Sequence, residues 1–241
     1  MIKLFRNIRK KLLEQGKTAN YLKYAIGEII LVVIGILIAL SINNWNENRK
    51  EENRLLNIYS LIFIDMENDK KQLIKNLEFN NERQPVFKKV LHDSITPELL
   101  DQGLSRLLGN NSRTVLNKTG VNQLRELQNK DSLTLKIINI YDIMENTMLN
   151  IENRISNEVR DHSDYMRDHY DWYPEWINNT IMQDVGSYEL HNYFLNAKFY
   201  RNRLISVYQQ TYNNYVPLII YSIETLTNLQ KELGSILNKT K

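Results

Sequence analysis

The chain has 241 residues with 8 Gly, 4 Pro and no Cys. The missing cysteine excludes disulfides, thiolate metal sites and a cysteine nucleophile, and so few breakers exclude glycine-rich phosphate loops and favour long helices. The net charge of +3 is uneven: residues 1–45 hold seven Lys/Arg against two Glu, and the other 24 Lys/Arg face 26 Asp/Glu, which leaves the larger part without the basic surface that nucleic acid demands.

In chain order, Ile2, Phe5, Ile8 and Leu12 share one helical face ringed by Lys and Arg. This reads either as a basic amphipathic helix in the inner-leaflet headgroups, stopped near Gly16, with Thr18 or Asn20 as cap for the next helix, or as a disordered basic tail. Tyr24 to Ile42 then carries one ionisable group, Glu28, and Ile29 to Leu40 is apolar apart from Gly35. A membrane span takes about 20 apolar residues, and a start after Glu28 leaves too few before Asn43. Glu28 therefore falls inside the span, about 6 Å below its start, where the helix dipole favours a carboxylate and the cost of charge is smaller than at the midplane. Two roles stay open for it: an interfacial carboxylate, or a polar contact to a second helix. Gly35 and Ala39 form a small-x-x-x-small pair that lets another backbone approach. Trp45, with Asn43 and Asn44, marks the outer interface.

Lys3, Arg6, Arg9, Lys10, Lys11, Lys17 and Lys23 precede the span, and Arg49, Lys50 and Arg54 follow it. This excess places the N-terminus in the cytoplasm. No small-x-small site follows the apolar stretch, so it reads as an uncleaved anchor. The expected organisation is a basic cytoplasmic segment (1–23), a transmembrane helix (24–45) and an extracytoplasmic helical domain (46–241) on the periplasmic side of an inner membrane.

The residues Tyr24-Ala25-Ile26-Gly27-Glu28-Ile29, Gly35-Ile36-Leu37-Ile38-Ala39-Leu40 and Ile42-Asn43-Asn44-Trp45-Asn46-Glu47 resemble a family of uncharacterised single-pass membrane proteins from Bacteroidota, the domain of unknown function 6090. The resemblance is strongest over about the first 50 residues. It implies a basic N-terminus, this span and a helical domain of similar size, with Glu28 as part of the pattern. It implies no catalytic residue.

Beyond the span, Asn46 to Gln84 holds no Pro or Gly. Leu55, Tyr59, Ile62, Met66, Leu73 and Leu77 recur at steps of three and four, with one turn occupied by Asp69 and Lys70. This predicts one long helix, broken or kinked at Pro85. Thr96-Pro97-Glu98 predicts a short helix capped by threonine, ended by Gly109-Asn110-Asn111. A further piece covers Val115 to Asn129, interrupted near Gly120. Asp131 or Ser132 opens a long helix reaching about Tyr170. Pro174 breaks the chain before a short helix over Glu175 to Gln183, and Gly186 turns it into a last helix from Tyr188 to Leu237, kinked at Pro217. The fold class is all-α: an N-terminal transmembrane helix continuing into an extended antiparallel helical bundle of four main helices.

Signatures of common chemistry are missing: no Gly-x-Gly-x-x-Gly, no Walker loop, no His-Glu-x-x-His. The densest candidate is Arg160 to Trp176, with His162 and His169 seven residues apart and Asp161, Asp164, Asp168 and Asp171 beside them. Histidine with carboxylate suits a divalent metal. Seven residues span about 10.5 Å of helix, so one ion needs a ligand from elsewhere, such as His191 or Glu189. The bland alternative is a charged helix end, with Tyr165, Tyr170, Trp172, Tyr173 and Trp176 sealing the bundle. No cofactor is expected. The reading is a non-enzymatic scaffold of the cell envelope whose partners are the lipid bilayer and a second copy or another membrane protein. Its rivals are a membrane-anchored ligand sensor and a metal-dependent enzyme.

Overall fold

The computed structural model describes residues 18–109, 113–182 and 186–239. The amphipathic helix expected at residues 2–13, and its stop at Gly16, lie outside them, as do Asn110 and Asn111. The described residues form helices and no strand. In order these are α1 (Thr18–Leu91), α2 (Glu98–Asp101), a 3-10 turn (Leu104–Arg106), α3 (Thr119–Glu126), α4 (Ser132–His169), α5 (Tyr173–Met182), α6 (Tyr188–Asn196), α7 (Lys198–Tyr208), a π-helical segment (Gln209–Tyr215) and α8 (Val216–Lys239). The chain divides into two units, Met1–Asn57 and Ile58–Lys241.

In the first unit α1 contains a stretch long and apolar enough to cross a membrane, and none of its most apolar 18 residues is buried. Asn43 donates to Glu47 at 3.0 Å, and the Arg49 guanidinium lies over the Trp45 ring at 5.2 Å.

In the second unit the expected antiparallel bundle forms from three long runs rather than four. The paired residues set the directions. Tyr59 meets Asp131 and Thr134, and Asp69 meets Tyr141, so α1 and α4 run parallel. Phe63 meets Gln230, Asn76 meets Tyr215 and Asn80 meets Tyr212, so the run from α6 to α8 is antiparallel to α1. Glu158 with Arg203 and Lys136 with Glu232 make it antiparallel to α4 as well. Two parallel neighbours need a return path. Residues 114–131 supply it, descending α1 from Thr114 at Asn76 to Asp131 at Tyr59.

Several boundaries depart from expectation. Helix α1 continues through Pro85 to Leu91. An interior proline costs about 3 kcal/mol, but Val86, Phe87 and Val90 beyond it are all buried, and each buried side chain of that size contributes about 1.5–3 kcal/mol. Packing outweighs the breaker. Helix α2 is a single turn starting at Glu98, and no side chain caps it. Gly120 stands inside α3, and the non-helical stretch precedes Thr119. Pro174 lies in the first turn of α5, where a proline costs no hydrogen bond. Asp131 opens α4 as expected, accepting from the Thr134 amide at 2.6 Å.

The expected last helix is four pieces. Ala197 takes extended backbone with ψ 113°, although no Pro or Gly stands there. The reason is Phe194 and Tyr200, whose rings meet edge-to-face at 4.9 Å. Six residues apart on a straight helix, they would sit about 9 Å apart along the axis and on different faces. Near Pro217 the helix widens into the π-segment, and the Val216 amide bonds to Thr211. Pro217 has no amide for Asn213, and its ring would collide with that carbonyl in α geometry; the register change lies directly upstream.

Candidate functional site

The return path is irregular backbone on either side of α3 and packs against α1, so its inward polar groups need partners from side chains. Helix α1 supplies them from buried positions. Asp69, fully buried, accepts from the Asn117 amide and from Asn117 Nδ2, both at 2.8 Å, and from the Tyr141 hydroxyl at 3.0 Å. Burial raises its carboxyl above the ordinary aspartate value, against the pull of those donors. Asp65 accepts from the Gly120 amide at 3.1 Å, an N-terminal helix amide that has no partner in its own helix. A Cβ on Gly120 would stand 2.4 Å from Ile62 Cγ1 and 3.2 Å from the Ile62 amide nitrogen. Only glycine admits this approach of α3 to α1.

Further along, Asn76 donates from Nδ2 to Thr114 Oγ1 and to the Tyr215 hydroxyl, each at 2.9 Å. Buried Glu152 of α4 accepts from the Thr114 amide at 2.8 Å and from Tyr215 in a short bond. Asn80 donates to Asn76, and Tyr212 donates to the Asn80 carbonyl at 2.8 Å. The π-segment thus delivers two tyrosine hydroxyls, three residues apart, to successive turns of α1. These side chains are structural: they bond one another and the return path, with Asp69, Asn76, Asn80 and Glu152 buried and Thr114 and Asn117 half-buried.

The candidate metal residues separate. His162 is fully buried, while His169 is exposed and stacked on Tyr165 at 4.3 Å. His169 caps its own helix end through Nδ1 to the Tyr165 carbonyl at 2.9 Å. His191 is half-buried on α6. Among the described residues no group of three or more His, Asp or Glu is arranged to hold a metal ion. Asp164 and Asp168 instead pair with Arg167 at 2.7 and 2.9 Å. A shared helical face misled because α4 ends at His169, and its neighbours cover His162 alone.

His162 lies among aromatic rings, with centroids at 5.1 Å from Tyr200, 6.1 Å from Tyr193 and 6.4 Å from Phe194 and Trp176. Its Nε2 is 3.2 Å from the Tyr193 hydroxyl, and its Nδ1 has no partner. Burial, then the nearby positive charge of Arg203, push its pKa down to about 3. The imidazole is a neutral core group at physiological pH. Of the aromatic cluster read from sequence, Trp176 is buried here while Tyr173 and Trp172 are half-buried, which matches a seal over the bundle.

One face of the unit's surface combines charge with concavity. A cleft of about 410 Å³ is lined by Phe79, Glu82, Arg83, Gln102, Gly103, Arg106 and Leu107. Three side chains pin its wall: Tyr200 donates to the Leu104 carbonyl, Trp176 Nε1 to Ser105 at 3.1 Å, and Arg83 to Leu107. Gly103 has φ +90°, a left-handed conformation that glycine adopts without strain. Sequence periodicity gave no hint of this cleft, because it needs α1 and the 3-10 turn side by side.

Residues 28–144 match a family of unknown function (DUF6090). The match begins at Glu28 and takes in the apolar stretch, the rest of α1, the return path with its buried partners, the cleft and the start of α4. It ends before Glu152, the aromatic cluster and the π-segment. No curated protein and no solved structure matches the chain.

In the first unit Glu28 is half-buried, Ala39 is exposed and Trp45 is 63 % exposed. No atom comes within 4 Å of a Cβ built on Gly35, so the small-residue face is open to another molecule.

Proposed function

We propose that the protein is a single-pass anchor of the cytoplasmic membrane, with the basic N-terminal flank inside and residues 46–241 outside, acting as an oligomerising or partner-binding scaffold without catalysis of its own. The observation that carries this reading is the exposure of every large apolar side chain from Ile29 to Leu40. Such a patch is far beyond what a soluble surface tolerates, and only lipid or other apolar helices remove it from water. The Lys/Arg excess before the span supports the orientation. Gly35 and Ala39 offer the close-approach face, and Glu28 offers a polar contact near its end.

The test is cross-linking of the full chain in its native membrane, with single cysteines placed at Gly35 and Ala39. Cross-linked dimers, or one recurrent partner, are expected. A chain that stays monomeric and partnerless there, or a reporter after Lys241 that is protected from the outside, overturns the reading.

A ligand sensor is the second reading, and the open cleft at Arg83 and Arg106 favours it. A metal-dependent enzyme has no such support, since His162, His169 and His191 do not converge.

A further inference from the structure

We propose that Arg49, held over the Trp45 ring, binds the phosphate of a phospholipid headgroup where the span leaves the bilayer. The inference rests on the anchor reading and adds to it a lipid contact of defined chemistry.

The apolar run from Tyr24 to Ile42 centres on Val33. The hydrocarbon ends about 15 Å from such a centre and the headgroups end about 20–22 Å from it. Along a straight helix Trp45 stands about 18 Å out and the Arg49 backbone about 24 Å. Trp45 is therefore at headgroup depth, where indole is favoured, and the backbone of Arg49 lies beyond it. The side chain of Arg49 makes up the difference. Its guanidinium lies over the Trp45 ring, 5.2 Å from the centroid, one turn back toward the span. Helical side chains lean toward the N-terminus, and a long cationic stem follows that lean. The charge thus comes to about the depth of Trp45, level with lipid phosphates.

The ring answers the charge but offers the N–H groups no oxygen. Glu52 stands three residues on, a spacing that suits an ion pair, yet Arg49 turns to Trp45 instead, and among the described residues no ion pair engages it. Glu47 accepts from Asn43 at 3.0 Å. Arg203 shows the contrast: it lies over Phe199 at 4.8 Å and also donates to Glu158 at 2.7 Å. Arg49 has the ring without the carboxylate. Trp45 is 63 % exposed and Arg49 is exposed beside it, so the pair is open to lipid. A phosphodiester carries two free oxygens, which match the planar guanidinium fork. At this depth such phosphates are the abundant acceptors, and the ring fixes the cation among them at little further ordering cost.

The experiment is solid-state NMR on the full chain, with 13C at the arginine guanidinium carbons, in phosphatidylethanolamine/phosphatidylglycerol bilayers. Dephasing of the 13C signal by 31P reads contact between arginine and phosphate. Arg49→Gln is expected to lose the component of one arginine. Trp45→Ala is expected to reduce that component about two- to fivefold, the size of an exposed cation–π contact. Arg54→Gln, whose backbone lies about 30 Å from the centre, is expected to leave the signal unchanged. A second arm holds the chain in a phosphate-free maltoside detergent with inorganic phosphate, and no Arg49-dependent dephasing is expected there. The proposal is overturned by an Arg49→Gln signal equal to wild type, by an equal loss in Arg54→Gln, by an undiminished signal in Trp45→Ala, or by full dephasing from free phosphate. Flotation separates the two readings. A chain that does not float with the bilayers sinks the anchor as well, and one that floats without an Arg49-dependent signal sinks this site alone.

Discussion

Between Ile29 and Leu40 helix α1 exposes every large apolar side chain it carries, and between Asp65 and Asn80 the same helix buries two aspartates and two asparagines. Burial does not follow hydrophobicity alone: in the second stretch Met66 and Leu73 are buried beside those four polar residues. In the first, the stretch is uniformly apolar and long enough to cross a membrane, and no face of it is turned inward. In the second, the backbone of the return path must find acceptors and donors within a core, and the helix carries them at one position per turn or two. The comparison teaches that a polar residue interrupting an apolar stripe can be the reason the stripe's neighbours fold as they do.

The largest test of that comparison is Asp69→Ala. It leaves the Asn117 amide and the Tyr141 hydroxyl without an acceptor in the core, and each orphaned group costs about 1–3 kcal/mol. We expect a loss of about 3–5 kcal/mol in urea unfolding of the full chain in detergent. Asp69→Asn keeps an acceptor and removes a charge that burial disfavours, so a smaller loss is expected. Equal losses would mean that charge, not hydrogen bonding, holds the path.

A second test inserts charge where α1 is uniformly apolar. Val33→Lys is expected to oppose membrane insertion by about 3 kcal/mol, read as a shift from the membrane to the soluble fraction or as failed translocation of a C-terminal reporter. An unchanged distribution would remove the anchor.

Gly120→Ala comes next. Its Cβ would meet Ile62 at 2.4 Å and at the backbone, and such overpacking costs about 1–3 kcal/mol. A neutral result would mean that α3 sits further from α1 than the bond to Asp65 requires.

The last test uses acid. His162 has its pKa lowered from 6.5 to about 3, so between those values the unfolded chain binds a proton that the folded chain refuses. Its contribution to stability is complete above pH 6.5 and is lost as pH falls toward 3, with a slope of at most about 1.4 kcal/mol per unit. His162→Phe removes that component, and its melting temperature is expected to depend less on pH in this window than that of the wild type. Parallel curves would place the imidazole in contact with water.

What was legible in advance follows a physical line. The apolar stretch and the start of α4 at Asp131 are local: hydropathy over a window, and a carboxylate three residues before the amide it caps. Asp69 was legible only as an exception in the stripe, because its partners at 117 and 141 are remote in sequence. His162 and His169 looked equivalent by helical spacing and are not, because coverage by α6 and α7 decides which one water reaches. The cleft was invisible, since Arg83 and Arg106 belong to no periodic pattern that joins them.

By itself, then, the sequence determined that this chain is helical and that residues near 29–40 demand an apolar medium, since both rest on nearest neighbours and side-chain transfer energy. Tertiary structure alone decided that α1 outlasts Pro85, that a helix breaks at Ala197 without a breaker, that α1 and α4 lie parallel, and which polar groups go inside. Those outcomes depend on long-range contacts, whose packing and hydrogen-bond energies exceed the about 1–3 kcal/mol of local preference that a residue brings to its own position.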